Sequence, residues 1–172
     1  ISIMVESLGT LLRASLSQKH SLVPLKEELE LVHRYLLIQK IRYEDRLLCT
    51  FLINGQPFSL PALENEIPLE ENLGKILIPP FTIQPLVENS IKYGRKSGQN
   101  LKVEIKVTML EQENRKYMSI IVQDNGEGYN KEIIRQVNRE DKDSWNGHVG
   151  LLNLRNRLKL VYGEHAFLAI SN

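Results

Sequence analysis

The spacing of apolar residues predicts two helices at the start of the chain. In residues 1–17, five apolar side chains recur at intervals of three and four: Met4, Leu8, Leu11, Leu12 and Leu16. A second helix is predicted from Pro24 to near Asp45, with Glu27 and Glu28 suited to its first turn. Its apolar face is formed by Leu25, Leu29, Val32 and Leu36. We expect the two helices to form an antiparallel hairpin whose apolar surface favours docking or dimerisation.

Alternating runs further along the chain predict three strands, with a helix between the first and the second. The run RLLCTFLIN precedes the turn-forming Gly55 and Gln56, and LKVEIKVTML and YMSIIVQD flank the polar EQENRK as a predicted hairpin. Between them, PPFTIQPLVENSIKYG predicts a helix despite Pro85, with Gly94 at its exit. The apolar positions of this helix are Ile83, Leu86, Val87 and Ile91.

The last periodic run, VGLLNLRNRLKLVYG, predicts a final helix that stops at Gly163. Its predicted apolar face consists of Leu151, Leu154, Leu158 and Val161. The AFLAIS that follows predicts the start of another strand, and NREDKDSWNGH, before the helix, is typical of a loop.

Composition limits the classes of function. At 172 residues with 42% hydrophobic residues, the chain can bury a substantial core. Its net charge of +1 provides no overall basic field to collect nucleic acid or an anionic membrane. The single cysteine, Cys49, makes neither an internal disulfide nor a zinc cluster, which fits a reducing cytosolic setting. No apolar run approaches the ~18 residues of a membrane span, and the start at Ile1 leads us to expect a piece of a longer protein, with any membrane attachment elsewhere in it.

The segment VQDNGEGY places acidic and small residues directly after an alternating run. Asp124 follows the predicted strand, and Gly126 and Gly128 come next with one residue between them. A carboxylate held by a buried strand end, beside glycines that a flat ligand can approach, predicts a binding site. The alternative is a hairpin turn, which the letters DNG alone also indicate.

Two further motifs point to a polyphosphate. In PLVENSIKYG, the residues Glu88, Asn89 and Lys92 share about one helical turn and suit a magnesium-bound polyphosphate, although an exposed polar helix face gives the same pattern. In NGHVGLLNLRNRL, Gly147 and Gly150 precede a helix whose free N–H groups attract phosphates, although loops before helices often contain glycine. The three motifs in this order predict a purine-nucleotide site.

These motifs resemble the N, G1 and G2 boxes of the GHKL nucleotide-binding fold shared by gyrase, Hsp90, histidine kinases and MutL. LKEELELVHRYLLIQKIRYEDRL and IPPFTIQPLVENSIKYG narrow the resemblance to the LytS/YesM-type sensor histidine kinases, over nearly the whole chain. The resemblance implies an α+β fold: a two-layer α/β sandwich with a mixed, mostly antiparallel sheet, preceded by a helical hairpin. It also implies a dimerisation or linker region over residues 1–45 and an ATP-binding catalytic domain over residues 46–172.

The resemblance assigns roles in a Mg-ATP site to the matching residues. On the helix, Asn89 would coordinate Mg²⁺, Glu88 would act on phosphate transfer through water, and Lys92 would contact phosphate. Asp124 would accept a hydrogen bond from the adenine amino group, and Gly126 would let the base lie against the backbone, as would the next glycine, Gly128. Four residues would frame the lid over the triphosphate or reach its phosphates: Gly147, Gly150, Asn153 and Arg155.

The chain departs from this family in three respects. The HFLFN-like motif that carries the phospho-accepting histidine does not occur, and none of the four histidines has its surroundings: His20, His33, His148 and His165. Tyr93 stands where the family often has histidine, and we expect its ring to pack. The sequence ends at Asn172, before the strand beginning GT that usually completes the sheet, so we expect an incomplete catalytic domain.

The resemblance implies a cytoplasmic catalytic part of a membrane-bound two-component kinase that uses ATP and Mg²⁺ to phosphorylate a histidine outside this chain. Its implied partners are a second copy of the full-length protein and a response regulator, with no nucleic acid. Two alternatives remain: an ATPase of the same fold whose nucleotide drives clamp closure, and a non-catalytic interaction module.

Overall fold

The structure is a computed structural model that describes residues 22–58, 71–94, 99–138 and 149–172. The predicted helix at residues 1–17, and with it the predicted helical hairpin, lies outside these ranges. The described residues form five α-helices: α1 (Leu25–Tyr43), α2 (Glu71–Gly74), α3 (Gln84–Tyr93), α4 (Lys131–Asn138) and α5 (Val149–Tyr162). They also form six strands: β1 (Val23–Pro24), β2 (Leu47–Ile53), β3 (Gln56–Phe58), β4 (Leu77–Ile78), β5 (Leu101–Gln112) and β6 (Arg115–Asp124).

Helix α1 follows the sequence prediction closely. Pro24 stands at its N-terminal boundary and the helix ends at Tyr43, after which a 3₁₀ turn, Glu44–Arg46, leads into β2. Acidic residues in the first turn and basic residues in the last turn complement the helix dipole. All four residues of the predicted apolar face are buried, so the prediction of a long amphipathic helix is confirmed.

The main sheet has four strands in the order β3-β2-β5-β6. Strands β2 and β5 are parallel, and the two outer pairs are antiparallel, which confirms a mixed sheet with mostly antiparallel pairing. The connection of β2 to β3 is a turn at Asn54 and Gly55, both with positive φ, as a type I′ hairpin turn requires. A separate pair, β1 and β4, links the start of α1 to the segment before α3.

The β5–β6 hairpin is longer than its apolar pattern predicts. Sequence alternation limited the strands to residues 101–110 and 117–124, but the ladder continues to the pair of Gln112 with Arg115. Glu111 lies opposite Lys116, and opposite charges across a ladder stabilise it on a solvated surface. The turn therefore consists only of Glu113 and Asn114, both with positive φ.

The core lies on one face of the sheet, where α1 and α3 cover it. Alternate residues of β5 point into this core and are at most 5% exposed: Leu101, Val103, Ile105 and Val107. They pack in one cluster with Leu25 and Leu29 of α1 and Val87 of α3. Apolar residues of the other face, such as Leu48 and Ile121, are nearly half exposed. The arrangement confirms a sheet with helices on one side.

Helix α5 ends at Tyr162, directly before Gly163, as the sequence predicts, and this glycine has a φ of +60°. Leu151 and Leu154 are buried. Val161, predicted on the same apolar face, is 41% exposed, because the last turn of α5 extends beyond the core. Helix α5 contacts α3. The described part of the third motif, which lies on α5, is therefore next to the helix that carries the second motif.

The strand predicted for AFLAIS does not form in the described structure, so this prediction is wrong. Residues 166–172 are extended in part but join no ladder. Side-chain amides take the place of a neighbouring strand: Asn138 donates to the Ile170 carbonyl at 2.8 Å and accepts from the Ile170 N–H at 2.9 Å. An asparagine amide carries both an NH₂ donor and a carbonyl acceptor, and so satisfies an isolated backbone unit.

Candidate functional site

The residues at the N-terminal boundary of helix α3 donate hydrogen bonds to the carboxylate of Glu28, which lies on helix α1. The N–H groups of Thr82 and Ile83 donate to Oε2 of Glu28 at 2.9 and 3.1 Å, and the Phe81 N–H donates to Oε1. The Ile83 N–H, at the N-cap of α3, is one of the donors that a helix leaves unsatisfied, and the other two N–H groups belong to the residues directly before it. Pro85 lies in the first turn, where its missing N–H costs no helical bond, so the prediction of a helix despite this proline is confirmed.

The three polar residues predicted on α3 lie in its last two turns. Glu88 and Lys92 are exposed, and Asn89 is partly exposed. The Glu88 Oε1 accepts a hydrogen bond from Gln84 Nε2 at 2.8 Å, which orients the carboxylate along the helix surface. The Lys92 ammonium lies 4.9 Å from the centroid of the Tyr93 ring, a cation–π distance. Tyr93 is itself 48% exposed, so its ring packs less than expected.

Asp124 is the last residue of β6, opposite Val103, and is partly exposed rather than buried. Its Oδ1 accepts a hydrogen bond from the Gly126 N–H at 2.8 Å and shapes the loop that follows. This loop leads into helix α4, so the alternative interpretation of DNG as a hairpin turn is wrong. The carboxylate stands at a strand-to-helix connection.

Two glycines hold the end of α3 against this loop. A Cβ atom at Gly126 would lie 2.7 Å from Asp124 Oδ1 and 2.8 Å from the Gly94 carbonyl oxygen, and it would also overlap Gly94 Cα. A Cβ atom at Gly94 would in turn lie 3.0 Å from Asp124 Oδ1. Sequence analysis interpreted Gly94 only as a helix exit, because its contact partner is distant in sequence. The structure therefore brings the C-terminal end of α3 together with Asp124 and Gly126.

Gly128 serves the loop in another way. Its φ of +74° is a conformation that residues with a side chain rarely adopt. A Cβ atom there would lie 2.6 Å from Cγ of Asn172. The Asn172 amide accepts from the Tyr129 N–H at 2.8 Å and donates to the Tyr129 carbonyl at 2.9 Å. Asn172 is thus a contact of this loop that sequence analysis missed.

A tyrosine cluster surrounds Asp124. Burial raises the pKa of the Tyr129 hydroxyl, and the nearby Asp124 charge and Tyr93 raise it further. Across α3, burial raises the pKa of Tyr35 on α1 to about 12, with the charge of Glu88 as the next cause. The two carboxylates therefore each have a partly buried phenol nearby, which keeps its proton at neutral pH.

The third motif is only partly within the described residues. Gly147 lies outside them, as do His20 and His148. Gly150 is exposed in the first turn of α5, with nothing within 4 Å of a Cβ placed on it. Asn153 is exposed, whereas the Arg155 Nη1 donates to the Val137 carbonyl at 3.2 Å, near the C-terminal end of α4.

The two described histidines lie on other parts of the molecule. His33 is partly buried in α1, where burial lowers its pKa and the charges of Arg34 and Lys40 lower it further. His165 is exposed in the 3₁₀ turn after α5. In the ranges that the structure covers, no three His, Cys, Asp or Glu side chains are grouped to hold a metal ion. No helix within those ranges has the length and apolar character needed to cross a membrane.

The sequence is similar to known proteins of one class. Residues 1–47 match the model of the histidine kinase family. The chain is 31% identical over 164 residues to the sensor histidine kinase YesM of Bacillus subtilis (strain 168), covering 95% of this chain and 24% of YesM. It is also 31% identical over 169 residues to the sensor protein kinase HptS of Staphylococcus aureus (strain USA300), covering 97% of this chain and 29% of HptS.

The chain is thus related to the histidine kinases, and the resemblance seen in its motifs is confirmed. Within that class, the proteins to which it is similar include the sensor histidine kinase YesM and the sensor protein kinase HptS. It spans about a quarter of the length of the curated relatives that it matches.

Proposed function

We propose that this chain is the catalytic part of a two-component sensor histidine kinase, which binds Mg-ATP and transfers its γ-phosphate to a histidine outside the chain. The observation that carries the proposal is the contact of Gly94 with Gly126, because it sets the carboxylate of Asp124 beside the end of the helix that bears Asn89 and Lys92. A base-binding carboxylate and phosphate-binding groups then lie on adjoining elements. The proposal includes the GHKL nucleotide-binding fold and a division into a linker region, 1–45, and a catalytic domain, 46–172.

The base would be recognised at the end of β6. Since Oδ1 of Asp124 accepts from its own loop, we assign Oδ2 as the acceptor for the adenine amino group. Gly126 and Gly128 would bring the backbone of this loop beside the base, with Asn172 on the side of Gly128 that a Cβ would occupy. Guanine presents a carbonyl oxygen at the same place, so two acceptors would face each other at a cost of roughly 1–3 kcal/mol.

The phosphates and metal would lie along α3 and the start of α5. Asn89 offers one neutral oxygen, which fits a Mg²⁺ ion that arrives with ATP and takes its other ligands from phosphates and water. Lys92 supplies positive charge to a phosphate, and Glu88, held by Gln84, orients the reaction through water. The remaining phosphate contacts are assigned to Gly147, Gly150, Asn153 and Arg155. Phosphoryl transfer depends mainly on positioning and charge neutralisation, which such groups provide.

Substitution of Asp124 by asparagine tests nucleotide binding. Asparagine keeps an oxygen that accepts from the Gly126 N–H, so the loop and the melting temperature should change little. Calorimetric titration should show ATP bound more tightly than GTP by the wild type, and ATP affinity reduced by roughly 1–3 kcal/mol in the variant. Glu127→Gln removes the same charge from an exposed residue of the same loop and should leave ATP affinity unchanged. GTP bound as tightly as ATP would contradict the base assignment.

Asn89→Ala tests the metal assignment. The variant should lose phosphoryl transfer more than nucleotide binding, because the base contacts lie on β6. Titration of Mg²⁺ into the nucleotide-free protein should give no stoichiometric binding at micromolar concentration, whereas Mg²⁺ should bind together with ATP. Tight Mg²⁺ binding without nucleotide would require ligands other than the one we assign.

Radiolabelled ATP separates the kinase from the two alternative functions. With γ-labelled ATP and Mg²⁺, this chain should bind nucleotide and remain unlabelled, because none of its histidines has the surroundings of the family's acceptor motif and transfer requires an in-line approach of ~3–3.5 Å. A longer protein that includes the acceptor segment should gain an acid-labile phosphate and pass it to a response regulator. Labelling of this chain that disappears in His33→Ala would overturn the external acceptor. A longer protein that binds ATP and never becomes labelled would favour the interaction module.

We place the whole protein, by analogy with the sensor kinases it resembles, at the membrane as a homodimer with this chain in the cytoplasm. Such a sensor signals through a response regulator. Crosslinking of the full-length protein in membranes and phosphotransfer to candidate regulators would test these assignments.

A further inference from the structure

Glu28 has an unusual environment for a glutamate that is not among the proposed nucleotide ligands. Its side chain lies on α1 and is 0% exposed. Burying a carboxylate is costly unless hydrogen bonds and charge compensate for the lost water. Here three backbone N–H groups of residues 81–83 donate to it, from a segment more than fifty positions away in sequence.

The segment that Glu28 holds has a backbone conformation that needs support. Phe81 has a φ of +56°, which is uncommon for a residue with a bulky side chain. Thr82 adds a local contact, since its hydroxyl donates to the Pro79 carbonyl at 2.5 Å. A strained residue of this kind persists when its surroundings fix it from several sides.

Helix α5 also supports the segment around Phe81. Arg157 donates from Nη1 to the Pro80 carbonyl, and its positive charge acts on Glu28. Residues 79–83 thus make hydrogen bonds with both α1 and α5, and α3 begins directly after them. Glu88, Asn89 and Lys92 follow within the next ten residues on this same rigid helix.

We propose that Glu28 is a positioning residue of the nucleotide site, whose carboxylate fixes the segment directly before α3 to α1 and so sets the place of the phosphate-binding and metal-binding side chains of α3. The inference rests on the proposed function. It makes helix α1, within the predicted linker region, a contributor to nucleotide binding without any contact to the nucleotide. Asp124 lies on β6 and is not among the hydrogen-bond partners of this carboxylate, so the adenine contact should depend on Glu28 less than the phosphate contacts do.

The test compares two ligands in one variant. Glu28→Gln keeps the size of the side chain but presents an NH₂ group and only one oxygen to three N–H donors. We expect ATP affinity, measured by calorimetry with Mg²⁺ well below the melting temperature, to fall about tenfold or more. Adenosine affinity should stay within about twofold, because adenosine has no phosphates for α3 to hold. Glu27→Gln, on the exposed side of the same helix turn, should change neither.

Two further variants separate positioning from general destabilisation. Val32→Ala opens a cavity on the buried face of α1 and should lower the melting temperature while leaving both affinities within about twofold. Glu28→Asp keeps the charge but shortens the reach by one methylene, and should weaken ATP more than adenosine even if Glu28→Gln does not fold.

The outcomes separate the inference about Glu28 from the proposed function. ATP bound equally well by the wild type and by Glu28→Gln overturns the inference. An equal loss of ATP and adenosine affinity also overturns it, since Glu28 would then support the fold as a whole. A wild-type protein that binds neither ligand contradicts the proposed function itself.

Discussion

At its N-terminal end, helix α3 starts on the buried carboxylate of Glu28, whereas at its C-terminal end it meets the loop after β6 through Gly94 and Gly126. The first end is closed, because the buried Glu28 carboxylate accepts hydrogen bonds from the three N–H groups of residues 81–83. The second end is open and carries exposed polar side chains. The same helix is therefore packed at both ends, and its second end also leaves polar side chains available to a ligand.

This difference indicates how a small helix can carry a binding site. A short helix gains little stability by itself and depends on tertiary contacts. The buried end supplies these contacts through α1 and α5. The open end can then expose Glu88, Asn89 and Lys92 without loosening the helix. The predictions that follow test whether stability and binding are separated in this way, from the largest expected effect to the smallest.

The largest effect on stability should come from Glu28→Ala. The change leaves three N–H groups without their acceptor, at about 1–3 kcal/mol each, and relief of the buried charge offsets part of that loss. We expect the free energy of unfolding in denaturant to fall by roughly 2–4 kcal/mol. Glu27→Ala on the exposed side should stay within about 0.5 kcal/mol. If both variants are equally stable, the buried end is not the anchor of α3.

Gly126→Ala should have the next largest effect, at the open end. The added methyl group overlaps the backbone of Gly94 and the Asp124 carboxylate, so the loop must move. Such overpacking costs about 1–3 kcal/mol, and ATP binding should be lost with it, because Asp124 moves too. Thermal unfolding and calorimetry measure the two losses. A variant of full stability would show that the two backbones are not in close contact.

Gly150→Ala should act in the opposite direction. This glycine lies in the first turn of α5 and is not among the glycines with a positive φ. A Cβ placed on it would face open space. Alanine should raise the free energy of unfolding by up to about 1 kcal/mol, since glycine is a weak helix former. The pair of variants shows which glycine is needed for packing. A loss of stability in Gly150→Ala would contradict the open environment.

The sequence predicted the elements of this molecule better than the contacts between them. Helices α1, α3 and α5 and strands β2, β5 and β6 were predicted because each buries one face, and burial leaves a period of 3.6 or 2 in the sequence. The predicted strand at residues 166–171 fails for the same reason: its exposure alternates, but Asn138 supplies its partner and no strand does. Periodicity reports burial and not the identity of the neighbour.

The candidate site shows the same limit. Its three motifs were recognised because their polar residues and glycines are clustered in sequence, but Glu28 was interpreted only as a favourable charge in the first turn of α1. Its partners are 53 to 55 residues away. One signal was available: Glu28 is in step with Leu25, Leu29 and Val32, so the helical period places it on the buried face. An acidic residue in such a place requires a partner, which the sequence does not name.

The smallest expected effect is a pH dependence at the closed end. Burial raises the pKa of Glu28 above its ordinary value of 4.5, against the opposing influence of its three N–H bonds and of Arg157 on α5. The folded protein then holds this proton to higher pH than the unfolded chain does. The stability that the proton contributes is complete below about pH 4.5 and is lost as the pH rises through the pKa of the folded state.

Glu28→Gln does not titrate, so the difference in unfolding free energy between the wild type and this variant should shrink as the pH rises. Denaturant unfolding at a series of pH values measures this difference, and Glu27→Gln controls for the other acidic groups. A difference that grows with pH would mean that the N–H bonds and Arg157 outweigh the burial of the carboxylate. Glu28 would then be held as a fully charged anchor, and the closed end of α3 would be strongest at neutral pH.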